Sequence, residues 1–283
     1  MRLEQPQWPK KRINCGPGFD FTRSVLAEFG INTVCQSARC PNIFDCFSAR
    51  TATFLILGDV CTRGCAFCCV RKGRPGEPDK DEPGKIAEAA AILGLRRVVI
   101  TSVTRDDLAD GGSGQFVRTI NALRNKLGKD AQIEVLIPDF SGSEPDIRRV
   151  VEAAPDIFSH NIETVPRLYG EIRAGADYQR SIGVLKTAKA INPAITAKSG
   201  IMLGLGETQE EVVSAMADLR TAGCDMLSIG QYLRPSAGQI EVREFIEPEI
   251  FLKLEKTGYS LGFKDVHSGT FVRSSYSPSF HIK

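Results

Sequence analysis

Beyond residue 50, short β-branched runs alternate with amphipathic stretches. The apolar runs fall at 53–57, 97–101, 132–137, 157–162, 195–202 and 225–231, each about as long as a strand. Between them, apolar positions recur at helical spacing near 84–93, 113–127, 144–153, 179–191 and 208–222. Gly94, Gly128, Pro155 and Gly223 stand where such helices stop. Strands that alternate with helices make βαβ units, which require a parallel sheet and right-handed crossovers. Six strands are visible where a closed barrel has eight. The pattern therefore predicts an α/β chain whose residues 51–262 form a partial (β/α)6 TIM-like barrel, with an open doubly wound sheet as the alternative. Residues 1–50 have little periodicity and read as an N-terminal extension with one short helix at 21–29. There Phe21, Val25, Leu26 and Phe29 share a face. Residues 245–262 add a last helix, and 263–283 read as an irregular C-terminal tail.

The chain has 283 residues, enough for a sizeable core without help from metal. Its net charge of +2 argues against a general nucleic-acid binder. Lys10, Lys11 and Arg12 make a small basic cluster, read as a solvated tail. No apolar leader opens the chain and no run of about 18 apolar residues occurs, so no membrane role and a cytoplasmic location are expected. In a reducing compartment, nine cysteines are metal ligands or buried thiols rather than disulfides.

Six of them form two triplets. Cys35, Cys40 and Cys46 are spaced C-x4-C-x5-C, whereas Cys61, Cys65 and Cys68 are spaced C-x3-C-x2-C directly after the first strand. Parallel α/β folds build their sites at that end of the strands. Thiolate is the ligand that iron–sulfur clusters prefer, and three thiolates leave one corner of a four-iron cube open. Zinc is the competing reading, but zinc favours four closed ligands. The three histidines, His160, His267 and His281, offer no nearby fourth. Of the remaining cysteines, Cys69 and Cys224 read as packing and Cys15 has no assignment.

The segment GDVCTRGCAFC resembles the signature of the radical S-adenosylmethionine superfamily. That resemblance implies a 4Fe–4S cluster on Cys61, Cys65 and Cys68 whose free iron chelates S-adenosylmethionine. Electron transfer to the sulfonium then releases a 5′-deoxyadenosyl radical. Phe67 matches the aromatic position close to adenine. The upstream triplet, the run RSSY at 273–276, and TSVTRDDLADGG, HNIETV and GLGE in order resemble the lipoyl synthase family, from about residue 5 to 276.

Membership would imply a second, auxiliary 4Fe–4S cluster on Cys35, Cys40, Cys46 and Ser274, with Ser275 as the competing serine. The implied reaction inserts sulfur from that cluster at the sixth and eighth carbons of a protein-bound octanoyl group. The octanoylated carrier would be a lipoyl domain or an H protein. An electron donor and an iron–sulfur carrier for rebuilding the cluster are further implied partners. No catalytic side chain beyond the cluster ligands is expected. Ser102 is a candidate for the cofactor's methionyl end, Glu163 for its ribose and Arg173 for its carboxylate. Backbone at Gly204 and Gly206 is a candidate for close approach to adenine. A helix cap at Ser102, surface charges at Glu163 and Arg173 and ordinary turns at the glycines are the plain alternatives. Another sulfur-inserting radical enzyme, or a non-enzymatic iron–sulfur redox protein, are the competing functions.

Overall fold

The computed structural model describes Pro6 and residues 15–276, so the basic cluster at 10–12 and His281 lie outside the described residues. The chain divides into two compact units. One comprises residues 15–63 and Cys69–Phe158, and the other Gly64–Cys68 and the described residues from Ser159.

The first unit opens with α1 (Pro17–Glu28), α2 (Val34–Ser37) and α3 (Ile43–Ser48). This segment is more regular than expected. Helix α1 starts four residues before the predicted 21, because Pro17 in the first turn fits the helical φ and gives up only an N–H that would be orphaned anyway. Phe19 packs on Phe44 and Phe47 with ring centroids 5.5 and 5.6 Å away. Thr22 Oγ1 donates to Phe47 O at 2.8 Å. Helices α2 and α3 are too short for periodicity to reveal.

There follow β1 (Thr53–Ile56), the small parallel pair β2 (Val60–Cys61) and β3 (Arg71–Lys72), α4 (Glu82–Ile92), β4 (Arg97–Ser102), α5 (Ser113–Leu127), β5 (Gln132–Leu136), α6 (Glu144–Glu152) and β6 (Ile157–Ser159). The sheet order is β1-β4-β5-β6, with Thr53 beside Val99 and Val99 beside Glu134, both in parallel register. Leu57 was expected to extend β1, but its φ of +67° turns the chain out of the strand.

The second unit contains α7 (Tyr169–Ile172), α8 (Tyr178–Ile191), β7 (Thr196–Leu203), α9 (Gln209–Thr221), β8 (Met226–Gln231), α10 (Pro248–Ser260) and β9 (Asp265–Gly269). Strands β7, β8 and β9 pair in parallel, Leu203 beside Gln231 and Leu227 beside Val266. Strand β9 corrects the expected irregular tail. Its sequence DVHSG carries one strong strand former, Val266, so pairing with β8 rather than local pattern makes it extended. Helix α9 begins with a capping box, Thr208 and Glu211 each accepting the other's backbone N–H. Between β8 and α10 runs a segment without regular structure, pinned by the buried Gln231. Its amide nitrogen donates toward Leu203 O, Tyr232 O and Glu244 O at 3.2, 3.0 and 2.9 Å, and its oxygen accepts Ile246 N at 2.8 Å.

Buried Asp225 stands directly before β8. It accepts from Lys189 Nζ, Lys264 Nζ and the amide of Ala197 at 2.9, 2.9 and 3.0 Å. Burial raises its pKa, but the bonds from Lys264, Ala197 and Lys189 outweigh that and hold the carboxyl below its ordinary value. Its stabilisation is therefore complete above the unfolded pKa and is lost as pH falls through the folded one. Asp225→Asn is expected to cost about 2 kcal/mol at pH 7. In urea titrations of the metal-free chain, the gap to the unaltered protein should narrow below about pH 4.

Candidate functional site

In the first unit, the upstream triplet sits on α2 and α3. Thr33 caps α2 by accepting Gln36 N at 3.3 Å, and it also bridges to Phe54 of β1. Leu55 N donates to Asn32 O at 2.9 Å, so this cysteine segment is tied directly to a strand. Cys35 and Cys46 are buried and Cys40 is partly exposed. Burial, reinforced by Cys40, pushes the Cys35 thiol up to about 12. Cys61 ends β2, and its sulfur accepts the amides of Thr104 at 3.3 Å and Arg63 at 3.4 Å. Ser102 is the last residue of β4, and its Oγ is buried with no hydrogen-bond partner. A cap would have given that hydroxyl a partner.

In the second unit, Cys65 and Cys68 lie on a segment gripped from two sides. Ala66 N donates to Ile172 O at 2.9 Å, and Ile240 N donates to Ala66 O at 3.0 Å. Gln239 Nε2 reaches Cys68 O at 3.2 Å. Phe67 packs against the core of this unit. Ser274, Asn161 and Glu163 form a chain of hydrogen bonds: Ser274 Oγ donates to Asn161 Oδ1 at 2.6 Å, and Asn161 Nδ2 donates to Glu163 Oε1 at 3.0 Å. Lys198 Nζ bonds Ser274 O. Gly200 leaves room for this contact, since a Cβ there would stand 2.7 Å from Ser274 Oγ.

Glu163 has a φ of +63°, an uncommon conformation for its residue type, of the kind that clusters at functional sites. Burial raises its pKa, partly offset by Arg173, Asn161 and Arg273. Arg173 is committed within the protein, donating to Asn161 O at 3.0 Å and Tyr169 Oη at 2.8 Å, while its Nε is buried without a partner. Burial opposes its charge, but Tyr169, Glu163 and Cys65 outweigh burial and raise its pKa.

Gly204 and Gly206 have φ of +96° and +105°. A Cβ on Gly204 would stand 2.3 Å from Glu244 O, and one on Gly206 2.8 Å from Arg243 Cδ. A backbone neighbour thus requires glycine at Gly204, whereas at Gly206 the neighbour is a movable side chain and the positive φ is what favours glycine.

Sequence reasoning passed over Asn161, although it stands inside HNIETV, and Arg63, which lies inside the cysteine loop itself. Neither is a cluster ligand type, so ligand chemistry gave no reason to select them. Cys224 is buried, its thiol donating to Met226 O at 3.2 Å. Among the described residues, no three His, Cys, Asp or Glu side chains gather as ligands of a single ion. A cube takes its donors at separate corners and does not require that convergence. No helix among the described residues is long and apolar enough to cross a membrane.

Residues 55–219 match the model of the radical SAM superfamily. Lipoyl synthase of Caldanaerobacter subterraneus subsp. tengcongensis is 55% identical over 276 residues, 98% of this chain and 96% of the relative. Lipoyl synthase of Geobacter metallireducens is 53% identical over 274 residues, 97% and 96% of the two chains. Among solved structures, methylornithine synthase superposes with a TM-score of 0.57 at 14% identity, covering 95% of this chain and 85% of the other. Coproporphyrinogen III oxidase of Escherichia coli, a radical SAM enzyme, gives 0.55 at 15% identity over 74% and 52%. These neighbours bear out the expected α/β partial-barrel fold.

Proposed function

The chain belongs to the lipoyl synthase family of the radical S-adenosylmethionine superfamily, and we infer from this that it inserts sulfur at the sixth and eighth carbons of a protein-bound octanoyl group. The likeness carries the inference because it runs over nearly the whole chain, well past the superfamily's shared residues 55–219. The enzyme is a sulfurtransferase that uses a 4Fe–4S cluster and S-adenosylmethionine, and its substrate is an octanoylated carrier protein. When bound, these groups supply a hydrogen-abstracting carbon radical, the reagent that an unactivated C–H bond demands and no side chain provides.

The residues present fit that role. Cys61, Cys65 and Cys68 are each partly exposed, so each is accessible as a soft ligand. Three of them would hold three corners and leave the fourth to the cofactor. Ser102 Oγ, buried and unpartnered, suits the cofactor's methionyl end. We assign Glu163 to its ribose, Arg173 through its unpaired Nε to its carboxylate, Phe67 to the neighbourhood of adenine, and the backbone at Gly204 and Gly206 to its close approach. The auxiliary cluster, here a substrate that gives up sulfur, is assigned to Cys35, Cys40, Cys46 and Ser274. A serine oxygen is a harder ligand than thiolate, which suits a corner meant to release iron. Residues 1–50 then act as an extension carrying the auxiliary cysteines, 51–262 as the radical domain and 263–283 as the tail that supplies the serine.

A lipoyl domain or H protein as carrier, an electron donor, an iron–sulfur carrier for rebuilding and a cytoplasmic setting belong to the same proposal. Anaerobic incubation with reductant, cofactor and an octanoyl-lysine peptide should yield, by mass spectrometry, a peptide carrying two added sulfurs. An iron-replete enzyme that makes 5′-deoxyadenosine but never a thiolated peptide would remove the lipoyl reading and leave the superfamily.

A further inference from the structure

Arg63 lies between the first two cysteines of the C-x3-C-x2-C loop, yet its side chain turns away into the protein, with only 10% of it exposed. It makes two paired ion contacts. Nε and Nη2 donate to the carboxylate of Asp106 at 2.8 and 2.7 Å, while Nη1 and Nη2 donate to that of Asp139, both at 2.9 Å. Asp139 is fully buried beyond the end of β5, and its Oδ1 also accepts Ser141 N at 3.0 Å. Burial opposes the guanidinium charge, but Asp106 and Asp139 outweigh it and raise its pKa. The planar fork matches two carboxylates at once, which a lysine cannot do. With four N–H groups so committed, this arginine is not free to take a ligand's carboxylate.

The grip continues to the sulfur. Asp106 N donates to Thr62 Oγ1 at 3.1 Å, and Thr62 N donates to Thr104 O at 3.0 Å. The next donor along is the amide of Thr104, which points at Cys61 Sγ, 3.3 Å away. The amide of Arg63 points at the same atom from 3.4 Å. One guanidinium thus ties the segments following β4 and β5 to the cysteine loop, and the first of them also reaches Cys61 through its own amide.

We propose that Arg63 is a positioning residue that fixes Cys61 and the two amides on its sulfur, and so sets the reduction potential of the cluster bound there. The proposal rests on the reading of Cys61 as a cluster ligand. Hydrogen bonds to ligating sulfurs are among the determinants of cluster potential. An N–H directed at the thiolate favours the extra negative charge of the reduced state. Loosening the clamp lengthens those contacts and makes the cluster harder to reduce.

The test is an EPR-monitored redox titration of the full-length, reconstituted enzyme. The open cluster is identified as the one whose signal changes on adding S-adenosylmethionine. In Arg63→Lys, iron and sulfide contents should match the unaltered enzyme while the reduction equilibrium moves at least threefold toward the oxidised form. That is about 30 mV for one electron, from about 59 mV per tenfold change. Asp106→Asn, which leaves the buried Asp139 contact in place, should move it the same way by less. An unchanged potential in Arg63→Lys with full iron content overturns the proposal. If Arg63→Lys fails to hold iron, an unshifted Asp106→Asn overturns it. An unaltered enzyme that is loaded with iron but has no cofactor-sensitive cluster overturns the ligand reading itself, and the clamp's role with it.

Discussion

Cys65→Ala is expected to abolish both 5′-deoxyadenosine release and sulfur insertion, whereas Cys40→Ala abolishes sulfur insertion alone. The two triplets have different tasks under the proposed function, so their losses should separate. Cys65 lies on the Gly64–Cys68 segment, whose neighbours Ala66 and Cys68 are held by Ile172, Ile240 and Gln239. Alanine there leaves the backbone grip intact and removes only the thiolate, so the effect reads on ligation rather than folding. Cys40 is the suitable partner because it is partly exposed, unlike the buried Cys35 and Cys46, so its loss opens little core volume. The readouts are deoxyadenosine by chromatography, thiolated octanoyl peptide by mass spectrometry and iron per chain. Unimpaired thiolation by Cys40→Ala would end the assignment of the upstream triplet as sulfur source. Continued deoxyadenosine release by Cys65→Ala would end that of the loop as the open cluster.

Gly230→Ala should displace the tail that carries Ser274. Gly230 lies in β8, and a Cβ there would stand 2.1 Å from Val272 O and 3.1 Å from its carbonyl carbon. Those are backbone atoms, so relief requires the chain at 272 to move. At Gly200 the corresponding clashes, 2.7 and 2.9 Å, are with the side-chain ends of Ser274 and Asn161, which can rotate. Crowding of the first kind costs about 1–3 kcal/mol. Gly230→Ala should therefore lower the urea midpoint, expose the tail to protease and reduce thiolated product well below deoxyadenosine release. Gly200→Ala should keep the midpoint and lose only the Ser274–Asn161 contact. An unaltered midpoint and full product yield in Gly230→Ala would show that the tail is not seated on β8.

The strands and long helices were legible because their apolar spacing is strong: α5 was expected at 113–127 and spans those residues, and all six predicted strands exist. What escaped was structure made by partners rather than by pattern. Strand β9 exists through β8, and α2 and α3 are shorter than two helical turns. The cysteine triplets announced themselves by spacing. Asn161, Gly200 and Arg63 did not, because each matters through a residue far away in sequence: Ser274 for the first two, Asp106 and Asp139 for the third.

One amide gives the second unit an unexpected economy. Residues 232–247 contain no helix or strand, yet Gln231 binds backbone groups at both ends of that excursion. The excursion in turn supplies Ile240 N and the Gln239 side chain to the cysteine segment. A span that looks like a tolerant surface connection is therefore a held arm, fastened by Gln231 and also by Arg243 N donating to Gly204 O at 2.8 Å. Its bend near Gly238 is exposed, but even the isosteric Gln231→Glu would set a carboxylate against three carbonyl oxygens and slacken the hold on Cys68.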